Sequence, residues 1–327
     1  MLETSSRRRL LIALVLVGLL AGCGGKYDKP IELNRAITMG EYWYKPYDGF
    51  SGGTSLSISE GIIYVAYAAS GQIRAYFSVG NPVPGNLVKP FTGLANPVLV
   101  GAGKYVIAAV DRADRDTVRV FDLGGGSPLV SFTDSSWQGV SAIAVDDTGN
   151  VYVADSLRNF IRAYKPNGRP RFTVDLADSG FGIGHVMKPV GIAVDRDMLL
   201  IAESHREKVQ VQRIRTDRPQ TGVTFSATIP FLSTFTDAEG TETPMVNPTG
   251  VAAGADGSVF VLDKGLNMIF QYDANGNSIA VVNSAQSGGP SDLAGMASID
   301  TYNPPGRPAT VYVLDAARGL IHRWEPK

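Results

Sequence analysis

The feature that most constrains this chain is a sequence unit that recurs six times after about residue 52. Each unit contains a short apolar strand, a residue that is usually acidic, and a further strand that begins about six residues later. These further strands begin at Ile73, Val118, Ile161, Val209, Ile269 and Ile321. A period of roughly 40 to 50 residues with several short strands per unit indicates a β-propeller or a similar repeat array.

The clearest unit spans residues 143–164. Ile143–Val145, Val151–Ala154 and Ile161–Tyr164 are apolar segments with strand character, and the pair Gly149–Asn150 supplies a hairpin turn between the first two. A sheet this small cannot bury both faces alone, so neighbouring sheets must pack on each other. The sequence therefore predicts an all-β fold, a six-bladed β-propeller of four-stranded antiparallel blades.

The sixth unit contains only three strands before Lys327. The aromatic-rich segment Ile37–Tyr44 precedes the first unit and has high strand propensity. We expect this segment to pair with Ile321–Trp324 as the missing outer strand, which would close the ring and cover an open sheet edge. The alternative is a loose N-terminal strand on the surface.

Two stretches carry a resemblance to a known family. Pro189–Asp195 contains a Pro-x-Gly motif, and Asn247–Val251 contains another that is followed by Phe260–Asp263. In these stretches the chain resembles the NHL-repeat family of β-propellers, over about residues 52–327. The resemblance implies four-stranded blades whose Pro-x-Gly motif enters the innermost strand. It says little about function, because such propellers serve as binding modules and, less often, as enzymes.

The N-terminal segment has the layout of a secretory signal. The basic group Arg7–Arg9 precedes the apolar run Leu10–Leu20, which is too short to span a bilayer comfortably. The run ends in Leu20–Cys23, which matches the lipobox, so the segment resembles a bacterial lipoprotein signal. The resemblance implies lipidation of Cys23. We therefore divide the chain into a signal peptide (1–22), a lipidated tether (23–31) and one propeller domain (32–327).

The export route and the final membrane follow from the same region. Ser6–Leu11 also looks like a twin-arginine motif, and the general secretory route fits equally well. Gly24, where an Asp would retain the protein, resembles the default for outer-membrane lipoproteins. We expect the periplasmic face of the outer membrane, with the inner membrane or the cell surface as alternatives. Because Cys23 is the only cysteine, an internal disulfide and a multi-thiol metal site are excluded.

Charge and motifs exclude several function classes. The formal net charge is −1 and no basic block follows the signal, which gives no reason to expect nucleic-acid binding. The chain has neither a Gly-x-Ser-x-Gly elbow nor a phosphate-binding Gly-x-x-x-x-Gly-Lys loop. We expect no cofactor and no catalytic set.

An acidic residue ends the second strand in five units. These residues are Asp111, Asp155, Glu203, Asp263 and Asp315. One interpretation makes them a ring that binds a cation or a substrate. The other, which repetition favours, has each carboxylate accept backbone hydrogen bonds in its own loop, with help from Arg158, Arg206 or Arg318. Asp146, Asp195 and Asp300 end innermost strands, and we expect them to form turns.

Binding residues are expected on the face that carries the corners between second and third strands. Long connections at 78–95, 175–187 and 233–247 should crowd this face, and rigidly held loops commonly carry function. The candidate contact residues are Trp137, Arg158, Phe181, His185, His205, Arg206 and Arg318, together with Phe235. The alternative is that the tryptophan and the phenylalanines pack between blades.

The three histidines allow one further hypothesis. His185 and His205 should reach the same face, where two histidines and a carboxylate could hold zinc, although no close ligand spacing supports this. We predict no metal site. His322 lies in a third strand and is expected to be a packed or edge residue.

We are left with three functional hypotheses. The first is a lipid-anchored cell-envelope scaffold, held in the membrane through Cys23, that binds envelope proteins or an extracytoplasmic ligand and has no chemistry of its own. The second is a metal-dependent propeller enzyme that resembles the lactonases or amidating lyases and uses a metal near the ring axis. The third is a purely structural module of a larger envelope assembly.

Overall fold

A computed structural model describes residues 42–113, 115–174, 185–196, 198–206, 208–215, 231–283, 289–304 and 307–326. Cys23, the predicted signal peptide and tether, and Phe181 lie outside the described residues. Within these ranges, no helix is long and apolar enough to cross a membrane.

The described chain is built almost entirely of short strands, with one 3₁₀ turn at Ala68–Ser70. In chain order the strands are β1 (Tyr42–Tyr47), β2 (Ser55–Ser59), β3 (Ile62–Tyr67), β4 (Gln72–Phe77), β5 (Pro97–Ala102), β6 (Val106–Asp111), β7 (Thr117–Asp122), β8 (Val130–Phe132), β9 (Val140–Val145), β10 (Val151–Asp155), β11 (Phe160–Tyr164), β12 (Pro170–Val174), β13 (Pro189–Asp195), β14 (Met198–His205), β15 (Lys208–Arg215), β16 (Phe231–Leu232), β17 (Thr234–Thr236), β18 (Glu242–Pro244), β19 (Pro248–Ala253), β20 (Val259–Asp263), β21 (Met268–Tyr272), β22 (Ser278–Val281), β23 (Met296–Tyr302), β24 (Thr310–Asp315) and β25 (Leu320–Pro326).

Twenty-three of these strands form six antiparallel blades, and β17 and β18 form a separate two-stranded hairpin. Blade 1 contains β2–β4, blade 2 β5–β8, blade 3 β9–β12, blade 4 β13–β16, blade 5 β19–β22, and blade 6 β23–β25 with β1. Blade 1 has a single bridge between Tyr76 and Pro82 in place of a regular fourth strand. The innermost strands contact one another in the ring order β2, β5, β9, β13, β19 and β23, and β23 returns to β2. The predicted six-bladed propeller is confirmed.

The N-terminal strand closes the ring. β1 pairs antiparallel with β25 from Tyr42 opposite Pro326 to Tyr47 opposite Ile321. The predicted closure of blade 6 by an N-terminal strand is therefore confirmed, but the register differs. Only Tyr44 of the predicted segment meets Ile321–Trp324, whereas Ile321–Arg323 pair with Lys45–Tyr47. The register places Tyr44 beside Trp324, with ring centroids 5.4 Å apart. It also buries Tyr42, whose hydroxyl donates to Gln271 Oε1 at 2.7 Å. These contacts explain the shift, and Pro46 is tolerated because β1 is an edge strand.

The apolar core lies between blades rather than within them. One cluster joins blades 5 and 6 through residues such as Phe260 and Trp324, and another joins blades 6 and 1 through Tyr312 and Ile63. Further clusters join blades 1 and 2, 2 and 3, and 3 and 4. Each blade thus depends on its neighbours for burial of its apolar area, which is the main source of stability in such a fold.

Glycine is required where innermost strands approach each other closely. A Cβ atom on Gly191 would lie 3.0 Å from Gly250 Cα, and one on Gly250 would lie 2.7 Å from Ile299 Cγ2. Both glycines follow a β-bulge at the start of their strand, at Pro189/Gly191 and Pro248/Gly250. The Pro-x-Gly motifs therefore enter the innermost strands, as expected, and their glycines allow adjacent strands to pack near the axis.

His322 connects the closing strand to the core of blade 6, which confirms that it is a packed residue. Its Nδ1 lies 2.7 Å from the Tyr44 hydroxyl and its Nε2 lies 3.4 Å from Asp315 Oδ2. Burial lowers the pKa of His322 although Asp315 opposes this shift, while the nearby Arg318 adds to it. The folded protein therefore favours the neutral ring, with Tyr44 donating to Nδ1 and Nε2–H donating to Asp315.

The free energy of unfolding should consequently depend on His322 below neutral pH. Because the folded-state pKa lies below the unfolded value of about 6.5, the unfolded state binds the proton first, and stability is lost as the pH falls through this window. Urea titrations at pH 7.5, 6.5 and 5.5 should show a steeper decline for the wild type than for His322→Gln. Equal slopes for the two proteins would show that His322 does not carry this dependence.

Candidate functional site

In blades 2 to 5, the acidic residue near the end of the second strand fixes the chain that enters the same blade. In blade 3, Asp155 is fully buried and accepts hydrogen bonds from the backbone N–H groups of Gln138 at 2.6 Å and Gly139 at 3.0 Å, which precede β9. It also accepts the N–H groups of Leu157 at 3.0 Å and Arg158 at 2.9 Å in its own corner. One carboxylate thus joins two loops.

The same contact recurs around the ring. Asp263 accepts N–H groups of Val246, Asn247 and Leu266, Glu203 accepts that of Met187, and Asp111 accepts those of Ala95 and Asn96. The next residue then donates its N–H to the carbonyl just before the innermost strand, as in Arg112 to Asn96, Ser156 to Gly139, Ser204 to Lys188, Lys264 to Asn247 and Ala316 to Gly295.

These contacts support the structural interpretation of the repeated acids over the ligand-ring interpretation. The bonds reach beyond the acid's own corner, since most of them lead to the loop before the innermost strand. The Arg318 guanidinium pairs with Asp315 at 2.7 Å, as expected, and its hydrogen bonds lower the pKa of Asp315 although burial opposes this. Arg158 contributes its backbone N–H instead of its guanidinium. Asp263 receives backbone N–H groups, and burial raises its pKa.

The corners between second and third strands lie on one face of the propeller, which we call the loop face. The hairpins between first and second strands lie on the opposite face, which we call the turn face.

His185 precedes β13 and His205 ends β14, so both lie on the loop face as expected. The His185 carbonyl accepts the Gln212 side chain at 2.6 Å. Arg158 and Arg206 are exposed, and Arg318 also pairs with Asp292 at 3.2 Å. Among described residues, no group of three or more His, Cys, Asp or Glu side chains could hold a metal.

The aromatic candidates are partly or wholly packed. Trp137 is half-buried between blades 2 and 3, where its ring meets Tyr164 edge-on at 5.7 Å and Phe132 at 6.2 Å. It also borders a shallow groove of about 380 Å³ on the loop face. Phe235 is buried and stacks on Phe270 at 5.0 Å, which agrees with the alternative that the phenylalanines are packed rather than in contact with a ligand. The β17–β18 hairpin carries it onto blade 5, which the sequence pattern did not indicate.

An axial channel of about 440 Å³ is the feature that sequence reasoning missed. It is lined by the innermost strands and bears small hydroxyl side chains, including Ser57, Ser141 and Thr301. Hydroxyls at alternate positions of β2, in Ser55-Leu-Ser57-Ile-Ser59, were the available signal. Without knowing which face of each strand looks at the axis, that pattern could not be assigned to a channel.

Asp300 lines this channel and corrects an expectation. It was predicted to form a turn, but β23 continues to Tyr302, and the Asp300 carboxylate accepts Ser57 Oγ and Ile58 N of blade 1, each at 2.8 Å. Burial raises the pKa of Asp300. Asp146, by contrast, does form a turn, accepting the N–H groups of Thr148 and Asn150.

Comparisons with known proteins show the architecture. No family model matches this chain, and no curated protein matches it. Among solved structures, a streptogramin B lyase is similar at 14% identity over 88% of this chain and 98% of that chain, with a TM-score of 0.53. The WD40 β-propeller domain of Doa1 is similar at 11% identity over 86% and 81%, with a TM-score of 0.52. A chain of a nidogen/laminin complex matches at 19% identity over 75% and 82%, with a TM-score of 0.52. At these identities the likeness shows the β-propeller fold alone.

The Asp155 contact can be tested directly. Asp155→Ala leaves four backbone N–H groups without their acceptor, and each buried, unsatisfied donor costs about 1–3 kcal/mol. Partial solvation of the corner reduces the sum, so we expect the free energy of unfolding to fall by about 3 kcal/mol in urea titrations. Asp147→Ala changes an exposed acid of the same blade and should have little effect. Equal effects of the two substitutions would contradict the role given to Asp155.

Proposed function

We propose that this protein is a lipid-anchored binding scaffold of the cell envelope, and that it binds its partner through the loop face. The observation that carries the proposal is the place where the chain joins the propeller. Tyr42 pairs with Pro326, at the end of β25 that lies on the turn face. The chain that leads from Cys23 therefore enters the described propeller at the turn face, and we assign the partner to the opposite, loop face.

The character of the loop face supports this arrangement. Leu157 is 69% exposed and Val246 is 36% exposed, and both lie at corners held by buried carboxylates. Exposed apolar side chains on rigidly fixed loops are typical of binding surfaces. A rigid surface of this kind loses little conformational entropy when it binds a partner.

The finer assignment follows the sequence resemblance. We propose that the chain is an NHL-like propeller, because Pro189 and Pro248 each begin an innermost strand with a bulge before the glycine. We also propose that the lipoprotein signal sends it to the periplasmic face of the outer membrane. Envelope proteins or an extracytoplasmic ligand would be its partners.

The axial channel favours a second candidate, an enzyme of the lactonase or lyase type. Asp300 lines the channel and has a raised pKa, a property found in general acids and bases. The proposed metal would need ligands beyond the described residues, which contain no suitable group of three. Stoichiometric metal in the purified protein would favour this candidate over the scaffold.

Lipid anchoring is tested by Cys23→Ser. Because Cys23 is the only cysteine, the variant has no other thiol to acylate, and we expect the protein to leave the lipid-labelled membrane fraction. Metabolic labelling with a clickable fatty acid, followed by fractionation, measures both effects. Retention of the lipid label in the variant would refute the anchor.

The location of the binding surface is tested by photo-cross-linking in whole cells. A photoreactive phenylalanine replaces Leu157 on the loop face in one strain and Tyr105, which is 58% exposed on the turn face, in the other. We expect protein or ligand adducts from position 157 and few from position 105, because the proposed partner binds the loop face. Adducts confined to position 105 would place the partner on the turn face and refute the proposal.

A further inference from the structure

Hydrogen bonds join the loop-face corners of blades 3, 4 and 5 into one continuous edge. Lys188 N donates to Asn159 Oδ1 at 2.8 Å, which joins the corner of blade 3 to the start of blade 4. Ser204 N donates to the Lys188 carbonyl at 3.3 Å, and Ser204 Oγ bonds to Asn247 Oδ1 at 2.6 Å. Lys264 N then donates to the Asn247 carbonyl at 3.0 Å. The relative positions of these residues are therefore fixed.

Three basic residues lie along this edge, and we call them the cationic arc: Arg158, Lys188 and Lys264. Arg158 and Lys188 are exposed, whereas Lys264 is half-buried. Within the described part of the chain, none of the three charged groups forms an ion pair. Burial lowers the pKa of the Lys264 ammonium, since its charge loses hydration without gaining a carboxylate partner. Pairing with an incoming anion lowers the free energy of a half-buried cation more than that of a fully hydrated cation.

The described acids near these corners form no ion pair with the arc. Asp263 precedes Lys264 in sequence, but it is fully buried and its oxygens accept backbone N–H groups. Asp134 pairs with Arg162 at 2.7 Å, and Asp292 pairs with Arg318 at 3.2 Å. Among the described residues, the three charged groups of the arc thus have no ion-pair partner, on a protein whose formal net charge is −1.

Apolar side chains accompany the cations. Leu157 precedes Arg158 and is 69% exposed. Val246 is 36% exposed and precedes Asn247, whose carbonyl accepts the Lys264 N–H group. Basic and apolar groups therefore follow one another across three blades. A single compact anion would meet one basic residue, whereas an extended chain with acidic and apolar side chains would meet all five positions.

We propose that the cationic arc binds an extended acidic polypeptide segment, whose carboxylates pair with Arg158, Lys188 and Lys264 and whose apolar side chains cover Leu157 and Val246. This inference rests on the proposed function and names the chemistry of the partner. Charge complementarity would also steer the encounter and make it sensitive to salt.

The test measures binding of a fluorescent octapeptide of alternating glutamate and leucine to the full chain in a neutral detergent, by fluorescence anisotropy. The variant carries Arg158→Gln, Lys188→Gln and Lys264→Gln. The matched control carries Lys104→Gln, Lys165→Gln and Arg169→Gln, which remove three positive charges from the turn face. We expect the arc variant to bind at least tenfold more weakly than the wild type, the control to bind within twofold of it, and salt to weaken wild-type binding. Urea titrations confirm that all three proteins are folded.

Each outcome decides the matter. Loss of affinity in the arc variant alone supports the inference, and so does a smaller loss in Lys264→Gln by itself. Equal affinity in the arc variant and the control overturns it, as does the absence of peptide binding by the wild type. Binding of polygalacturonate but not of the peptide would overturn the inference and identify an anionic polysaccharide, rather than a polypeptide, as the ligand. Cross-links from position 157 in cells that persist when the peptide fails would reject this inference alone and leave the scaffold proposal standing.

Discussion

The buried carboxylate at the end of the second strand is the contact on which the rest of the propeller depends. A carboxylate accepts several hydrogen bonds at once, so a single Asp155 or Asp263 can satisfy N–H groups from two loops that no strand would otherwise pair. This interaction fixes where each innermost strand begins, and the strand start in turn sets the bulge and the close packing at Gly191 and Gly250. The loop face is rigid because its corners are tied to the core.

Blades 1 and 6 depart from this carboxylate contact. Blade 1 has Tyr67 in place of the acid, and its hydroxyl bonds to Tyr76 at 2.8 Å while Thr54 N donates to the Ala66 carbonyl at 2.8 Å. Blade 6 adds Arg318 and His322 around Asp315. The added groups occur where β1 closes the ring, in the blade assembled from both ends of the described chain. The His322 ring also packs beside the rings of Tyr44 and Trp324, with centroids 5.8 Å apart in each pair.

The two ends of the propeller differ in ways that bear on function. The turn face receives the N-terminal strand, while the loop face carries the fixed corners, the exposed apolar side chains and the cationic arc. The axial channel is lined by the innermost strands and bears hydroxyl side chains together with carboxylates that include Asp300. The scaffold and enzyme proposals thus concern different regions, since a partner on the arc would not need the channel.

The sequence by itself determined the blade count, the order of strands and the closing pair, because repeats with a fixed spacing can only bury their apolar faces against copies of themselves. It also indicated the structural role of the repeated acids, because they recur in nearly every blade, whereas an active site in a propeller is usually asymmetric. Only the tertiary structure decided that Phe235 is core, that Asp300 crosses to the neighbouring blade, and that Arg158, Lys188 and Lys264 lie on one edge. Those outcomes depend on contacts between blades. The spacing of residues along the chain does not indicate which side of a strand faces the neighbouring blade.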